Sequence, residues 1–154
     1  VGARDSRALA FGTRSTGDIA ATGTVQGDHA VTHISDDLYQ SLTEERARNG
    51  RDSAAHVWVF DASGGGDLTL NVEAWRDVTS DGDNFDFFYS TNGTTYSPAN
   101  LVVSKSSDDN TIQSVSLPSG INGVLYIKAE DTDTKTKRGG VTTLYVDQLY
   151  LHSN

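Results

Sequence analysis

Residues Asp67–Trp75, DLTLNVEAW, put Leu68, Leu70, Val72 and Ala74 on one parity and Thr69, Asn71, Glu73 and Trp75 on the other. That two-residue period belongs to a strand buried on one face. The polar run 76–84, which contains Gly82, turns the chain, and FDFFYS (85–90) opens a second strand. This stretch therefore predicts a sheet, a connecting loop rich in oxygen ligands, and a Trp75 directed away from the core with Asn71 and Glu73 beside it.

The rest of the chain repeats the theme. AHVWVFDA (55–62) is β-branched and aromatic, as a buried strand requires. Strands are also predicted over 37–45, 101–105, 111–117, 124–130 and 142–152, with weaker ones over 19–25 and 30–34. Thr91-Asn92-Gly93 is a hairpin signal, and 63–66, 108–110 and 118–120 are turns. The chain's 15 glycines against 2 prolines fit short strands joined by turns. Roughly nine or ten strands at intervals of about 8–12 residues predict an all-β fold, an antiparallel β-sandwich of jelly-roll type. We read 1–18 as a linker or edge segment and 19–154 as a single module. Val1 at the start and no Met anywhere suggest a piece of a longer polypeptide.

Charge and composition exclude several roles. A net charge of -9 opposes nucleic acid and anionic membrane as partners, and no apolar run is long enough to span a bilayer. Without cysteine there are no disulfides and no thiolate–metal sites. The balance suits a secreted, extracellular module or one that binds cations.

Calcium is the cation the residues favour. It takes six to eight oxygen ligands from irregular loops, and Asp81, Asp83 and Asp86 cluster about Gly82 and Asn84 while Asp131 and Asp133 form a second pair. If 55–62 and 67–75 form an antiparallel hairpin, the loops 46–53, 76–84 and 131–140 share one pole. Glu44, Glu45, Asp52, Asp81, Asp83, Asp131 and Asp133 then gather there with Arg46, Arg48, Arg51 and Arg138. Crowded carboxylates repel unless something positive neutralises them; a calcium ion and the arginines are the alternatives. Asp and Asn also favour turns for their own backbone hydrogen bonds, so turn chemistry is the competing explanation. Asp147, in the apolar run YVDQL, is a further ligand candidate, since strand parity groups it with Tyr145, Leu149 and Leu151.

Trp75, with Glu73 and Asn71, has the make-up of a sugar platform: a ring to stack on and polar groups to take hydroxyls. The alternative is a ring covered by loops. Trp58 reads as core, and Tyr89 as buried with Phe85 and Phe87. Catalysis has little support. His29 and His33 lie four apart without a metalloprotease helix, no Gly-x-Ser-x-Gly elbow or cysteine nucleophile occurs, and Gly64-Gly65-Gly66 lacks the Lys-Ser/Thr of a phosphate loop. No enzyme activity is expected.

GDNFDFFYSTNGTTYS (82–97), with its Tyr-Ser-x-x-Gly-x-x-Tyr spacing, resembles the strand-turn-strand of secreted jelly-roll accessory modules. TTLYVDQLYLHS is similar to the closing strand of many carbohydrate-binding modules. SDDLYQSLTEE and the 127–133 segment resemble modules appended to bacterial and archaeal extracellular hydrolases. Across about residues 20–153 the resemblance implies a non-catalytic β-sandwich, often calcium-stabilised, attached to neighbouring domains of a larger protein. A polysaccharide or glycan is the preferred ligand. A structural or protein-interaction domain, for adhesion or protease support, is the alternative.

Overall fold

The computed structural model describes residues 12–46, 52–64, 66–78, 84–132 and 141–153. Among them the strands in chain order are β1 (Thr13–Arg14), β2 (Gly17–Thr22), β3 (Thr24–Gln26), β4 (Gln40–Thr43), β5 (Ala55–Asp61) and β6 (Leu68–Arg76). They continue with β7 (Phe85–Ser90), β8 (Ser97–Val102), β9 (Gln113–Ser116), β10 (Val124–Asp131) and β11 (Thr143–Ser153). One sheet runs β3-β4-β11-β6-β9 with β1 paired onto β11, and the other runs β2-β5-β10-β7-β8. Every pairing is antiparallel. The expected jelly-roll sandwich is the observed fold.

Alternation builds the core. Leu68, Leu70, Val72 and Ala74 of β6 face Trp58 and Phe60 of β5, Phe85 and Phe87 of β7, and Leu125, Ile127 and Ala129 of β10 in one cluster. Burial on this scale is the main stabilising term. Trp58 is 1% exposed, and its indole N–H donates to Gln40 Oε1 at 2.7 Å across the gap between the sheets. Gln40 Nε2 in turn donates to Asp18 Oδ2 at 2.8 Å, which also meets His56 Nε2 at 2.8 Å. A buried amide thus ties β4 of one sheet to β2 and β5 of the other.

Two expectations change. β5 and β6 are not a hairpin: the 63–66 turn carries the chain from one sheet to the other, where β6 pairs with β11 and β9. Periodicity specifies which face of a strand is buried, not which neighbour it takes. The described ends of the three loops nevertheless meet, since Glu45 bridges Ser53, Asp131 N–H donates to Ala54 O and Thr132 N–H to Asn84 O. The 30–34 strand is instead a 3₁₀ turn, His29–Thr32, because Asp28 caps it by accepting from Ala30 N–H at 2.9 Å. Within the segment read as linker or edge, Thr13 pairs opposite Leu151 and Gly17 opposite Val59.

Candidate functional site

Trp75 lies on the outer face of the β11-containing sheet, as its parity requires. It pairs in register with Tyr145, and the two rings stack with centroids 4.0 Å apart and planes 17° off parallel. Tyr39 meets both edge-on, at 5.9 Å from Trp75 and 6.1 Å from Tyr145. The Trp75 Nε1–H is enclosed and has no acceptor among the described residues. Asn71 and Glu73 lie on the same face but are only 7% and 3% exposed. Asn71 accepts from Ser114 at 2.6 Å and donates to Thr69 O, and Glu73 accepts from Ser35 at 2.9 and 3.0 Å. A sugar hydroxyl reaching either would have to displace a serine.

The acidic half of the patch comes from a bulge. Val146 pairs with Ala74 and Gln148 with Glu73, leaving Asp147 outside the ladder. The extra residue breaks parity: Leu149 and Leu151 stay in the core, while Asp147 serves the outer side, where it accepts from Asp36 N–H at 3.1 Å and Asp37 N–H at 3.2 Å. This corrects the shared face with Leu149 and Leu151 expected from simple alternation. Carboxylate oxygens of Asp37, Asp108 and Asp147 all lie within 4.8 Å of one another, and Tyr39 OH donates to Asp108 Oδ2 at 2.7 Å. Rings and carboxylates therefore form one continuous patch.

Of the metal ligands expected from sequence, Asp147 alone belongs to this cluster. Asp81, Asp83 and Asp133 lie outside the described residues. Asp86 is on the other sheet, opposite Glu130. Asp131 ends β10 beside Ala54, and Glu45 bridges Ser53 at that same pole. Asp37 and Asp108 were missed because Asp37 read as the start of the 37–45 strand and Asp108 as a turn acid. Their only sequence signal is the doubled acid at 36–37 and 108–109, which is common in turns; Asp37 adopts φ 62°, unusual for a non-glycine.

Neither a protein-family model nor a curated protein matches the chain. Solved structures do. TmCBM61, solved in complex with β-1,4-galactotriose, matches with a TM-score of 0.58 and 8% identity over 92% of this chain and 91% of its own. CBM35 from Paenibacillus barcinonensis matches with a TM-score of 0.48 and 14% identity, covering 94% of this chain and 95% of its own. The fold is that of a carbohydrate-binding module. No helix among the chain's described residues is long and apolar enough to cross a membrane.

The acids of this patch perturb one another and the groups beside them. Asp37 is pushed above the usual carboxylate range, first by sharing a hydrogen bond with Asp108. The same cluster raises the Tyr39 hydroxyl to about 12, chiefly through its bond to Asp108. Glu73 is pushed up to about 7, first by burial and then by its hydrogen bond to Asp147. Its folded value lies above the ordinary 4.5, so the folded state holds the proton more tightly. That stabilisation is complete below about pH 4.5 and is lost as the pH rises to about 7. In chelator, the module is expected to melt several degrees higher at pH 5 than at pH 7.5. Glu73→Gln, which keeps the neutral form at every pH, should flatten that dependence; a slope unchanged in the variant would exclude Glu73 as its source.

Proposed function

We propose that this chain is a non-catalytic, calcium-stabilised module of a secreted multidomain protein and that it binds glycan at the Trp75 patch. The observation that carries the reading is the grouping of three rings, Trp75, Tyr145 and Tyr39, beside three convergent carboxylates on the solvent side of a sheet. Stacked rings offer a flat apolar surface to the C–H face of a sugar. Asn71 and Glu73 would support Trp75 from below and contact sugar only after Ser114 and Ser35 move aside.

The donor set fits calcium. Oxygens sharing one Ca²⁺ at 2.3–2.6 Å can be no more than about 5 Å apart, and the three Asp oxygens meet that limit at 4.8 Å. An all-oxygen set selects a hard cation over zinc or copper. Asp37, Asp108 and Asp147 would hold the ion, which would supply positive charge where the three carboxylates converge.

The test is affinity electrophoresis through gels containing β-1,4-galactan, xylan, glucomannan or hydroxyethylcellulose. Galactan leads because TmCBM61 was solved with β-1,4-galactotriose. Retention in one gel should weaken at least tenfold in Trp75→Ala, equivalent to about 1.4 kcal/mol, with the fold intact by circular dichroism. Tyr145 already covers one face of the Trp75 ring, which favours the second reading, a structural or protein-interaction domain. Retention identical in wild type and Trp75→Ala would support that reading against the patch.

A further inference from the structure

Asn-Gly steps can react with their own backbone, and two of them lie among the described residues in unlike surroundings. Asn92-Gly93 closes the turn between β7 and β8, and Asn122-Gly123 leads into β10. Asn49-Gly50, the third in the chain, lies outside the described residues. At Asn92 the side chain is held. Its Oδ1 accepts from the N–H groups of Thr94 and Thr95, both at 2.9 Å, and from Ser90 Oγ–H at 2.9 Å. Gly93 N–H donates to Ser90 Oγ at 2.9 Å, and a Cβ placed on Gly93 would come within 3.1 Å of the Tyr126 ring.

Asn122 meets none of these restraints. The segment 117–123 is anchored by Leu117 and Ile121, each 6% exposed, and Leu117 N–H donates to Leu68 O at 2.9 Å. Asn122 itself is exposed, and no hydrogen bond joins its amide to another described residue. Gly123 takes φ 97°, a conformation open to glycine. Its carbonyl accepts from Ala62 N–H at 2.7 Å, while its own N–H has no acceptor among the described residues. A Cβ placed on Gly123 would meet no atom within 4 Å. Nucleophile and target carbon are therefore both unengaged, on a turn whose ends are fixed.

We propose that Asn122 is a self-modification site, at which Gly123 N closes on Asn122 Cγ and the asparagine becomes isoaspartate or aspartate. The Gly123 amide proton goes to solvent base, the new N–Cγ bond forms, and Nδ2 leaves as ammonia, giving a five-membered succinimide. Water then opens the ring: attack at the main-chain carbonyl yields isoaspartate, and attack at Cγ yields aspartate. Nothing is oxidised or reduced, and water is the only co-reactant. Either product adds a negative charge near the end of β5, where Asp61 pairs with Val124. Isoaspartate also lengthens the main chain by one atom just before the Ala62–Gly123 hydrogen bond. The glycan reading is not involved, because β6 from Leu68 to Trp75 separates this turn from the aromatic patch. At Asn92 the same closure must break the bonds to Thr94, Thr95 and Ser90, which slows it at least about tenfold.

The experiment ages the whole chain at pH 8 and 37 °C, resolves acidic species by anion exchange, and maps isoaspartate in digests by enzymatic methylation of its carboxylate. Isoaspartate is expected at position 122 at least about tenfold faster than at position 92, with the 49–50 peptide scored separately. In the urea-unfolded chain the two sites should react at similar rates. Ser90→Ala removes one donor to Asn92 Oδ1 and the acceptor of Gly93 N–H, so it should speed the reaction at 92 and leave 122 unchanged. Asn122→Gln should remove the product from its own peptide. An Asn122 that reacts only in urea would overturn the proposal. So would folded-state rates that are equal at the two sites or faster at 92.

Discussion

Chelating divalent cations will lower the melting temperature of this module, and adding calcium back will restore it. Asp37, Asp108 and Asp147 are held within 4.8 Å by the backbone and by Tyr39, so the metal-free patch keeps its mutual repulsion. An ion bound only by the folded state at 100 times its dissociation constant adds about 2.7 kcal/mol. At about 2–4 °C per kcal/mol for a domain of this length, the shift should be roughly 5–10 °C. Asp147→Asn should abolish the calcium response while preserving acceptors for the Asp36 and Asp37 N–H groups. Asp131→Ala, altered at the far end of β10, should retain the response. A melt that is the same in chelator and in calcium would remove the ion from the proposed function and leave Asp37 and Asp108 joined by a proton.

Gln40→Ala will be among the most destabilising single changes outside the apolar core. Its amide accepts from Trp58 Nε1–H at 2.7 Å and donates to Asp18 at 2.8 Å, both in a space where Gln40 is 2% exposed. Truncation leaves an indole N–H without an acceptor, takes one donor from Asp18 and opens a void between the sheets. Unsatisfied buried groups cost about 1–3 kcal/mol each and voids add to that, so a loss of roughly 2–4 kcal/mol is expected in urea unfolding. Gln40→Glu should lose nearly as much, because it sets a second carboxylate against Asp18. A loss below about 0.5 kcal/mol for Gln40→Ala would mean that the sheets hold together by apolar packing alone.

Strand faces were legible because alternation is a local property: Leu68, Leu70, Val72 and Ala74 identify their buried side without reference to any other segment. Trp75 followed by the same logic. Partner choice was not legible, since β5 and β6 would satisfy a hairpin or a crossover equally well from their own residues. The acidic cluster failed for a related reason. Asp37, Asp108 and Asp147 come from three distant segments, and only pairing brings them together. Asp147 was noticed because an acid in an apolar strand is conspicuous, but parity misassigned its side, as a bulge adds one residue that no local pattern announces. Gln40 and His56 passed unremarked because a polar residue satisfied across a core looks, in sequence, like one facing water.

That extra residue in β11 has a consequence for how such a module can diversify. Leu144, Val146, Leu149 and Leu151 are bound by the packing of the whole sandwich, so changing any of them risks the fold. Asp147 occupies a position with no ladder partner opposite it, and what its side chain holds is the outer loop, through the N–H groups of Asp36 and Asp37. Exchange for another acceptor at this one position can therefore change the charge of the surface while the loop stays tied and the two sheets stay fixed. A scaffold partitioned in this way can keep its shape at 8% identity to another sandwich.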